Sequence, residues 1–446
     1  ITVSTKEHRQ NQNVLLANPW TSQDEGDHFP VAKEWWTTEL FFTTKEDKRT
    51  WNLITTFAYE RESPSCFYQY VLFDLKAKKC LLHKDVNDEI SKLTHTKNKV
   101  NLIYESSWLK GLYPSYHLHN QDDEQGFLAE IDMDAHSLPH WIAQETTHGV
   151  LPIGFNTFQY GFIPNCQLSG TLRLNDKIYT VGGKGYFEHA WGNWSYRNPL
   201  QFLGGAKTTL STYLRLSYWW LSHHRLHVPS RIGFSLENDM FGYDWLWGIC
   251  DNDWSFFFGN VLLWVNEGPS FGALYVTEDG TRYWEFCDVH FKYNKVLYIK
   301  ELDTYYPSDM ELIGKLGEKR IHLRFYSTTE GYEYVDLNKK RKFYNAFVLC
   351  ELPGRVEGLY SDHEKRIHLR GFCKSVPQRQ TPRIGHNGVT LSFAKPPNSI
   401  GMKIELESHR LKRKCIGTIQ LAPHPQCHIS FPKIDLSKIP RETILP

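Results

Sequence analysis

The stretch from Lys177 to Trp194, KIYTVGGKGYFEHAWGNW, decides the fold class of this chain. Side chains along it alternate, and its glycines are of the kind that mark a bulge or a close backbone approach within a strand. Period-two alternation bounded by turn residues predicts antiparallel strands. The stretch also places Glu188 and His189 side by side among tryptophans, although charged side chains are seldom fully buried without a partner.

The same alternation continues outward in both directions. WNLITTFAY at 51–59 and FYQYVLFDL at 67–75 each carry apolar side chains at every second position, and turn residues bound them. Sustained helical spacing is scarce. The sequence therefore predicts an almost all-β protein built of sandwiches or barrels.

The length of 446 residues exceeds what one core usually serves, so we predict two β-domains, at 1–220 and 241–446. Residues 195–240 interrupt the strand pattern and are dense in Tyr, Trp and His. They fit an inserted hairpin or a short amphipathic helix, and we predict a lid or an inter-domain cover.

A glycine spacing that occurs in both halves of the chain, which we call the echo, indicates two related halves. Gly183 follows Gly170 by 13 positions, and Gly371 follows Gly358 by the same interval. Each pair encloses a strand, a charged turn and a second strand. The echo predicts equivalent hairpins in two similar domains.

The second copy of the echo lacks the acid and the imidazole. Counted from the second glycine of each copy, the positions of Glu188 and His189 correspond to Val376 and Pro377. If both halves share a fold, the scaffold does not require the Glu-His pair, which then serves a task of the first half.

Composition and motifs exclude several classes of function. The formal net charge of +1 creates no field that would draw nucleic acid to the surface. No phosphate-binding loop, dinucleotide fingerprint, nucleophile elbow or H-E-x-x-H motif is present, so kinase, dehydrogenase and hydrolase functions have no support. No apolar run reaches the length of about 18 residues that a spanning helix needs; peripheral contact with a membrane stays open.

The nine cysteines are scattered and form no C-x-x-C pair, which argues against a zinc knuckle or a compact disulfide framework. They favour reduced thiols in a cytoplasmic protein. His223 and His227 would share one helical face, but no nearby carboxylate or cysteine completes a metal set. We expect neither a metal nor a cofactor.

Two longer motifs carry a family resemblance. PVAKEWWTTELFFTTKEDKRTWNLITTFAYE at 30–60 and LSGTLRLNDKIYTVGGKGYFEHAWGNW at 168–194 resemble the signatures of the lipocalin-like superfamily of carotenoid 1,2-hydratase (hydroxyneurosporene synthase) and the Diels–Alderases. The chain departs from that pattern at Glu188, where aspartate is usual, and at Thr37, where tyrosine is usual. The resemblance implies two lipocalin-like antiparallel β-barrel or sandwich domains side by side, with a small-molecule pocket in or between them.

In such a fold the tryptophans of both motifs would line an apolar, π-rich pocket. These are Trp35, Trp36, Trp191 and Trp194. Hydration of an isolated alkene begins with protonation, and the resulting cation is stabilised by electron-rich ring faces, of which Trp is the best. A carboxyl group in an apolar pocket stays protonated because desolvation disfavours its charged form. We expect Glu188 or Glu34 to be this acid, with His189 holding or relaying the proton.

Alternation assigns the faces of the central strand. Glu188 and His189 are neighbours, so their side chains point to opposite faces. We expect His189 and Trp191 to face the pocket, while Glu188 and Tyr186 face the second domain or a neighbouring strand. Further along the chain, Tyr243 and Asp244 are additional polar candidates for contact with substrate.

Three classes of function remain open. The first is a cofactor-free hydratase or cyclase of an isoprenoid or polyene. The second is a pericyclase, which needs shape and a hydrogen-bond donor and no strong acid. The third is a lipid- or terpenoid-binding protein without turnover. For each of the three classes, we expect a hydrophobic small molecule as the partner.

Overall fold

The computed structural model describes residues 20–153, 155–194, 205–223, 242–261, 267–270, 272–299, 304–336, 343–386, 389–394, 401–408, 413–421 and 429–430. Within these ranges the chain is almost entirely antiparallel strand, arranged in two large sheets. The fold class predicted from alternation is therefore confirmed.

The first sheet contains the strands that precede residue 193. They are β1 Lys33–Thr44, β2 Thr50–Glu60, β3 Ser65–Asp74, β4 Lys79–Glu89, β5 Leu93–Thr94, β6 Val100–Tyr104, β7 Ser107–Leu112, β8 Ser115–Asp122, β9 Phe127–Ala135, β10 His140–Trp141, β11 Val150–Ile153, β12 Asn156–Leu174 and β13 Lys177–Gly192. Their order across the sheet is β4-β3-β2-β1-β13-β12-β9-β8-β7-β6-β5.

The second sheet contains the strands that follow residue 242. They are β14 Tyr243–Cys250, β15 Ser255–Val261, β16 Glu267–Pro269, β17 Gly272–Thr277, β18 Tyr283–Phe286, β19 Asp288–Ile299, β20 Thr304–Leu316, β21 Lys319–Ser327, β22 Tyr332–Asp336, β23 Phe343–Ser361, β24 Arg366–Ser375, β25 Gln378–His386, β26 Val389–Ala394, β27 Gly401–Ser408, β28 Arg413–Leu421 and β29 Ile429–Ser430. The separation of the sheets agrees with a two-domain chain; the exact boundaries at 220 and 241 stay a prediction.

The two sheets repeat one topology. In the first, β2-β1-β13-β12-β9-β8 are consecutive neighbours; in the second, β15-β14-β24-β23-β21-β20 follow the same pattern. The hairpins β12–β13 and β23–β24 occupy equivalent places, and Gly170 pairs with Val181 as Gly358 pairs with Leu369. The 13-residue echo of the sequence thus marks equivalent hairpins, as predicted.

Each sheet buries its own apolar core on one face. Trp36, Leu40, Phe42 and Phe187 belong to the core of the first sheet, and Leu246, Phe256 and Leu323 to that of the second. Complete burial of one such side chain contributes about 1.5–3 kcal/mol.

A third apolar cluster lies between the sheets. Its buried members are Phe41, Tyr160, Phe162, Tyr186 and Ala190 from the first sheet and Trp245, Trp247, Ile249, Phe257, Ala273 and Tyr275 from the second. Trp247 Nε1 also donates across the interface to the Pro164 carbonyl at 2.8 Å. The residues that alternate away from the first core therefore form the contact with the second sheet.

Helices are few in the described part of the chain. They are two 3₁₀ turns, Ser22–Asp24 and Ile90–Lys92, a single helical turn, Gln144–Thr147, and one longer helix, Ala206–His223. None of the described helices combines the length and the hydropathy needed to cross a membrane. The described cysteines, Cys66, Cys80, Cys166, Cys250, Cys287, Cys350 and Cys373, form no disulfide.

The longer helix lies within the predicted insertion at 195–240 and contacts both sheets. Thr209 Oγ1 donates to the Phe155 carbonyl at 3.1 Å, and Trp220 Nε1 donates to the Ser270 carbonyl at 2.7 Å. His223 is exposed at its end, and His227 lies outside the described residues. The helical alternative for the insertion is confirmed over 206–223; its role as a cover stays a prediction.

Candidate functional site

The Glu-His pair lies on β13, between β1 and β12. In the register of β1 with β13, Trp36 is opposite His189 and Thr37 is opposite Glu188. Because side chains alternate along a strand, Glu188 points toward the second sheet, whereas His189 points into the first sheet's interior. The pair therefore contributes to two separate centres on the two faces of one strand.

The first centre, which we call the Glu188 cluster, consists of Glu188, Trp35, Tyr160, Tyr186 and Trp245. The hydroxyl groups of Tyr160 and Tyr186 both donate to Glu188 Oε2, and the Tyr186 bond is 2.9 Å long. The indole of Trp35 donates to Glu188 Oε1 at 2.9 Å. Trp245 of the second sheet donates to the Tyr160 hydroxyl at 2.8 Å. The cluster thus joins a buried carboxyl group to both sheets.

Burial in the Glu188 cluster disfavours the ionised form of its carboxyl group. Burial raises the pKa of Glu188 above its usual value, and the hydrogen bonds from Tyr160, Trp35 and Tyr186 only partly offset this. Burial also raises the pKa of Tyr160 well above its usual value, so its phenol keeps its proton.

Aromatic rings surround this acid. Trp194 packs edge-on against Trp35 with ring centroids 5.2 Å apart, and Trp245 packs edge-on against Tyr186 at 5.3 Å. Phe257 lies 5.8 Å from Tyr160. The surroundings are apolar and rich in π-faces, the environment that the sequence analysis expected around an acid.

The second centre, which we call the His189 cluster, consists of His189, Glu34, His28 and Tyr59. His189 Nε2 and His28 Nδ1 each lie 2.8 Å from the same oxygen, Glu34 Oε1. The Tyr59 hydroxyl donates to Glu34 Oε2 at 2.6 Å. Glu34 and His189 are fully buried.

The two imidazoles of the His189 cluster are held by stacking on indoles. His189 stacks on Trp36 with centroids 4.5 Å apart, and His28 stacks on Trp191 at 3.8 Å. Burial lowers the pKa of His189, although its hydrogen bond and charge interaction with Glu34 act in the opposite direction.

An ion pair borders the His189 cluster. His95 Nδ1 lies 3.0 Å from Asp27 Oδ2. Burial opposes ionisation of Asp27, but the hydrogen bond from His95 and that from the Phe29 amide outweigh it and lower the pKa of Asp27 to about 2. The hydrogen bond with Asp27 raises the pKa of His95.

The structure divides the predicted site residues between the two centres. Glu188, Trp35, Tyr186 and Trp194 lie in or against the Glu188 cluster, and His189, Glu34, Trp36 and Trp191 lie in or against the His189 cluster. The single tryptophan-lined pocket of the sequence analysis is thereby replaced by two aromatic environments.

The two candidates on β14 also separate. Tyr243 packs against the inter-sheet cluster. Asp244 is fully buried and pairs with Arg379 Nη2 at 3.0 Å, while the Tyr293 hydroxyl donates to its other oxygen. Asp244 therefore holds together strands of the second sheet and lies on the face opposite Tyr243.

Sequence reasoning missed His28, Tyr59, Tyr160 and Trp245. Tyr160 and Trp245 lie in strands with alternating apolar side chains, where sequence pattern does not distinguish an aromatic site residue from one that packs in the core. His28 precedes the first strand, in a segment without periodicity. Tyr59, Tyr160 and Trp245 lie far along the chain from the residues that they contact, so only the distance in space reveals them. His28 is close to Glu34 in sequence, but no pattern in its segment indicates which way its side chain points.

A cavity of about 490 Å³ opens away from both centres, at the end of the first sheet. Arg49, Trp51, Asp74 and Tyr179 are among its lining residues. None of the predicted site residues lines it, so the buried chemistry and this cavity are separate features.

No protein-family model and no curated protein matches the chain. Solved structures do. A protein from Nitrosomonas europaea assigned as AttH aligns with a TM-score of 0.53 and 12% identity, over 79% of this chain and 95% of that chain.

Two further solved structures are similar over comparable lengths. Kievitone hydratase from Nectria haematococca aligns with a TM-score of 0.49 and 12% identity, over 80% of this chain and 97% of that chain. CghA with Sch210972 aligns with a TM-score of 0.42 and 9% identity, over 80% of this chain and 94% of that chain. At 12% identity, the Nitrosomonas europaea structure shows a similar fold and nothing beyond the fold. The chain therefore has the all-β, two-sheet lipocalin-like fold that the resemblance implied.

Proposed function

We propose that this chain is an enzyme that protonates an alkene of a hydrophobic isoprenoid or polyene and completes its hydration or cyclisation. Glu188 is the acid. The observation that carries the proposal is a carboxyl group buried between two sheets, with its pKa raised by burial and with indole rings around it.

The reaction follows from this arrangement. The Glu188 carboxyl proton moves to one alkene carbon, and the π-electron pair forms the new C–H bond, which leaves a tertiary cation on the other carbon. In hydration, water attacks the cation and returns one proton to the Glu188 carboxylate. In cyclisation, a second double bond attacks the cation, and loss of a ring proton to the carboxylate ends the sequence.

The neighbouring groups support both stages. Tyr160, Tyr186 and Trp35 donate to Glu188, so the carboxylate left after proton transfer is already hydrogen-bonded. The faces of Trp35, Trp194 and Trp245 offer cation–π stabilisation, which is strongest in a desolvated site. The sequence resemblance to carotenoid 1,2-hydratase agrees with this chemistry.

The test uses acyclic polyenes of isoprenoid type incubated with the protein in deuterium oxide. Protonation by the enzyme places deuterium on carbon, where it does not wash out, and mass spectrometry detects it. We expect deuterated product from the parent protein and a loss of at least about 100-fold for Glu188→Gln, the lower range for removal of a general acid.

A rival acid provides the matched comparison. Burial raises the pKa of Glu285 to about 8, and this carboxyl lies outside the Glu188 cluster. Glu285→Gln should keep near-parent turnover. If Glu188→Gln keeps its rate, Glu188 is not the acid. Product without deuterium would favour a pericyclic reaction, and no product from the parent protein would favour simple binding. If Glu285→Gln alone abolishes turnover, the acid has been misassigned.

A further inference from the structure

We propose that the His189 cluster binds one divalent transition-metal ion through His28 Nδ1, Glu34 Oε1 and His189 Nε2. This site lies on the face of β13 opposite Glu188, and the inference does not rest on the proposed function. It also departs from the sequence analysis, which expected no metal and considered only His223 and His227 as ligands.

The three donor atoms lie close together. Both imidazole nitrogens lie 2.8 Å from Glu34 Oε1, and all three atoms lie within 4.8 Å of one another. Zinc binds histidine nitrogen and carboxylate oxygen at about 2.0–2.2 Å. Two ligand atoms 2.8 Å apart at that radius subtend roughly a right angle at the ion, the angle between neighbouring ligands of an octahedral ion.

The proton positions leave a lone pair of His189 facing the carboxylate. Its Nδ1 lies 2.7 Å from the Asp24 carbonyl, and a carbonyl only accepts, so Nδ1 must carry the proton. In a neutral ring Nε2 is then an acceptor, aimed at Glu34 Oε1 at 2.8 Å. Two acceptors at this distance need a cation between them, either a proton or a metal ion.

The groups outside the donor set have the form of an outer metal shell. A ligating histidine almost always donates its other ring N–H to a carbonyl or carboxylate, as His189 does to Asp24. The second oxygen of Glu34 is held by the Tyr59 hydroxyl at 2.6 Å and by the His28 amide at 3.0 Å. Stacking on Trp191 fixes the ring of His28.

The donor set selects the class of ion. Imidazole suits zinc, copper, iron and nickel, and two histidines with one carboxylate leave coordination positions open. Glu34 and His189 are inaccessible, whereas the side chain of His28 is 22% exposed. An ion and its remaining water ligands would therefore enter from the side of His28.

The test is a metal titration of the full chain. The protein is freed of metal with a chelator, and zinc or cobalt(II) is added while binding is followed by calorimetry and, for cobalt, by its visible absorption. We expect one ion per chain and cobalt bands that report mixed nitrogen and oxygen ligands. Absence of stoichiometric uptake would overturn the proposal and leave a shared proton between His189 and Glu34.

Variants locate the ion. His28→Gln and Glu34→Gln should each weaken zinc binding by at least about 100-fold, because losing a ligand exceeds the 10- to 100-fold cost of losing an outer partner. Tyr59→Phe should fall within that smaller range. His28→Gln is the safest variant, since His28 is partly exposed and its loss should leave the fold intact.

His95→Gln is the matched control, because His95 borders the cluster without contributing a donor atom. It should bind zinc like the parent protein, and so should Glu188→Gln on the opposite face. Equal binding by the parent protein and a folded His28→Gln variant would contradict the assignment.

Discussion

At the scale of single residues, neighbouring side chains perform separate tasks because a strand has two faces. Glu188 enters an apolar interface and becomes a weaker acid, while His189 enters the first sheet and meets a carboxylate. One peptide unit separates the two environments. The acid chemistry and the metal chemistry can therefore be tested independently.

Tyr186→Phe tests whether the phenols tune Glu188. Removing one donor to the carboxylate should raise the pKa of Glu188 further, because the Tyr186 hydrogen bond lowers it. A hydrogen bond to a charged group contributes about 1.5 kcal/mol and one pKa unit corresponds to 1.36 kcal/mol, so the change is roughly one unit.

The measurement is the pH profile of turnover. A general acid works when protonated, so turnover falls as the pH rises through its pKa, and in Tyr186→Phe this fall should occur at higher pH. Tyr68→Phe, which removes a phenol from the core of the first sheet, is the control. An unmoved profile in a folded Tyr186→Phe variant would show that the phenol does not act on the acid.

Residue-scale prediction from sequence succeeded where alternation alone decides orientation. Because side chains alternate along a strand, Glu188 and His189 point to opposite faces, and Glu188 and Tyr186 point to the same face. The partners of Glu34 did not follow, since Tyr59 and His28 reach it from another strand and from an irregular segment. Alternation assigns a face and carries no information about which distant residue occupies it.

At the scale of elements, β13 and β24 occupy equivalent positions in the two sheets. Gly183 and Gly371 occupy equivalent positions, and a Cβ on either would lie 2.1 Å from a backbone oxygen of the neighbouring strand, that of Phe41 or Ile249. The glycines of the echo therefore serve close backbone approach, and the chemistry beyond them differs because Val376 and Pro377 replace Glu188 and His189.

Gly183→Ala should destabilise the protein by about 1–3 kcal/mol, because the added methyl group meets backbone that cannot rotate away. Gly182→Ala is the adjacent control. Its Cβ would have the Leu168 carbonyl at 3.8 Å as its nearest contact, and a change within about 0.5 kcal/mol is expected. Urea unfolding of both variants measures the difference; equal stabilities would remove the role given to Gly183.

The element that sequence pattern described least well is the insertion. Its aromatic density fitted a hairpin or a helix equally, because short apolar runs do not separate the two. In the structure, Thr209 donates to the Phe155 carbonyl beside the first sheet, and Trp220 donates to the Ser270 carbonyl beside the second. These contacts with two sheets depend on tertiary structure that local periodicity does not encode.

At the scale of the whole molecule, a buried charge cluster joins the sheets. Lys374 of β24 lies 2.9 Å from Glu351 of β23 and 3.8 Å from Glu39 of β1, and all three are buried. Its ammonium also lies 3.4 Å from Asn52 Oδ1. Sequence analysis predicted two domains side by side but not this cluster, because lysine and glutamate in strands usually lie on a solvated face.

One lysine faces two carboxyl groups, so burial and the charge of Glu351 both disfavour ionisation of Glu39. Burial raises the pKa of Glu39 well above its usual value, more than the attraction of Lys374 lowers it. A raised folded-state pKa contributes stability below the unfolded value, and that contribution is lost as the pH rises through the folded value. The joined sheets should therefore lose stability as the pH rises above 4.5, the usual pKa of the carboxyl group.

Lys374→Met and Glu39→Gln test this cluster in opposite directions. Lys374→Met removes the cation that Glu39 and Glu351 share and should cost about 3–5 kcal/mol of unfolding free energy at pH 7, the usual result of removing one partner of a buried pair. Glu39→Gln keeps the shape and mimics the protonated acid, so it should cost less than about 1 kcal/mol and should flatten the stability loss that begins as the pH rises above 4.5, compared between pH 5 and pH 9. Urea unfolding at both pH values separates the outcomes.

An unchanged pH dependence in Glu39→Gln would mean that Glu39 is already ionised and that the two sheets are joined chiefly by the aromatic cluster around Phe41 and Trp247, whose contacts do not titrate.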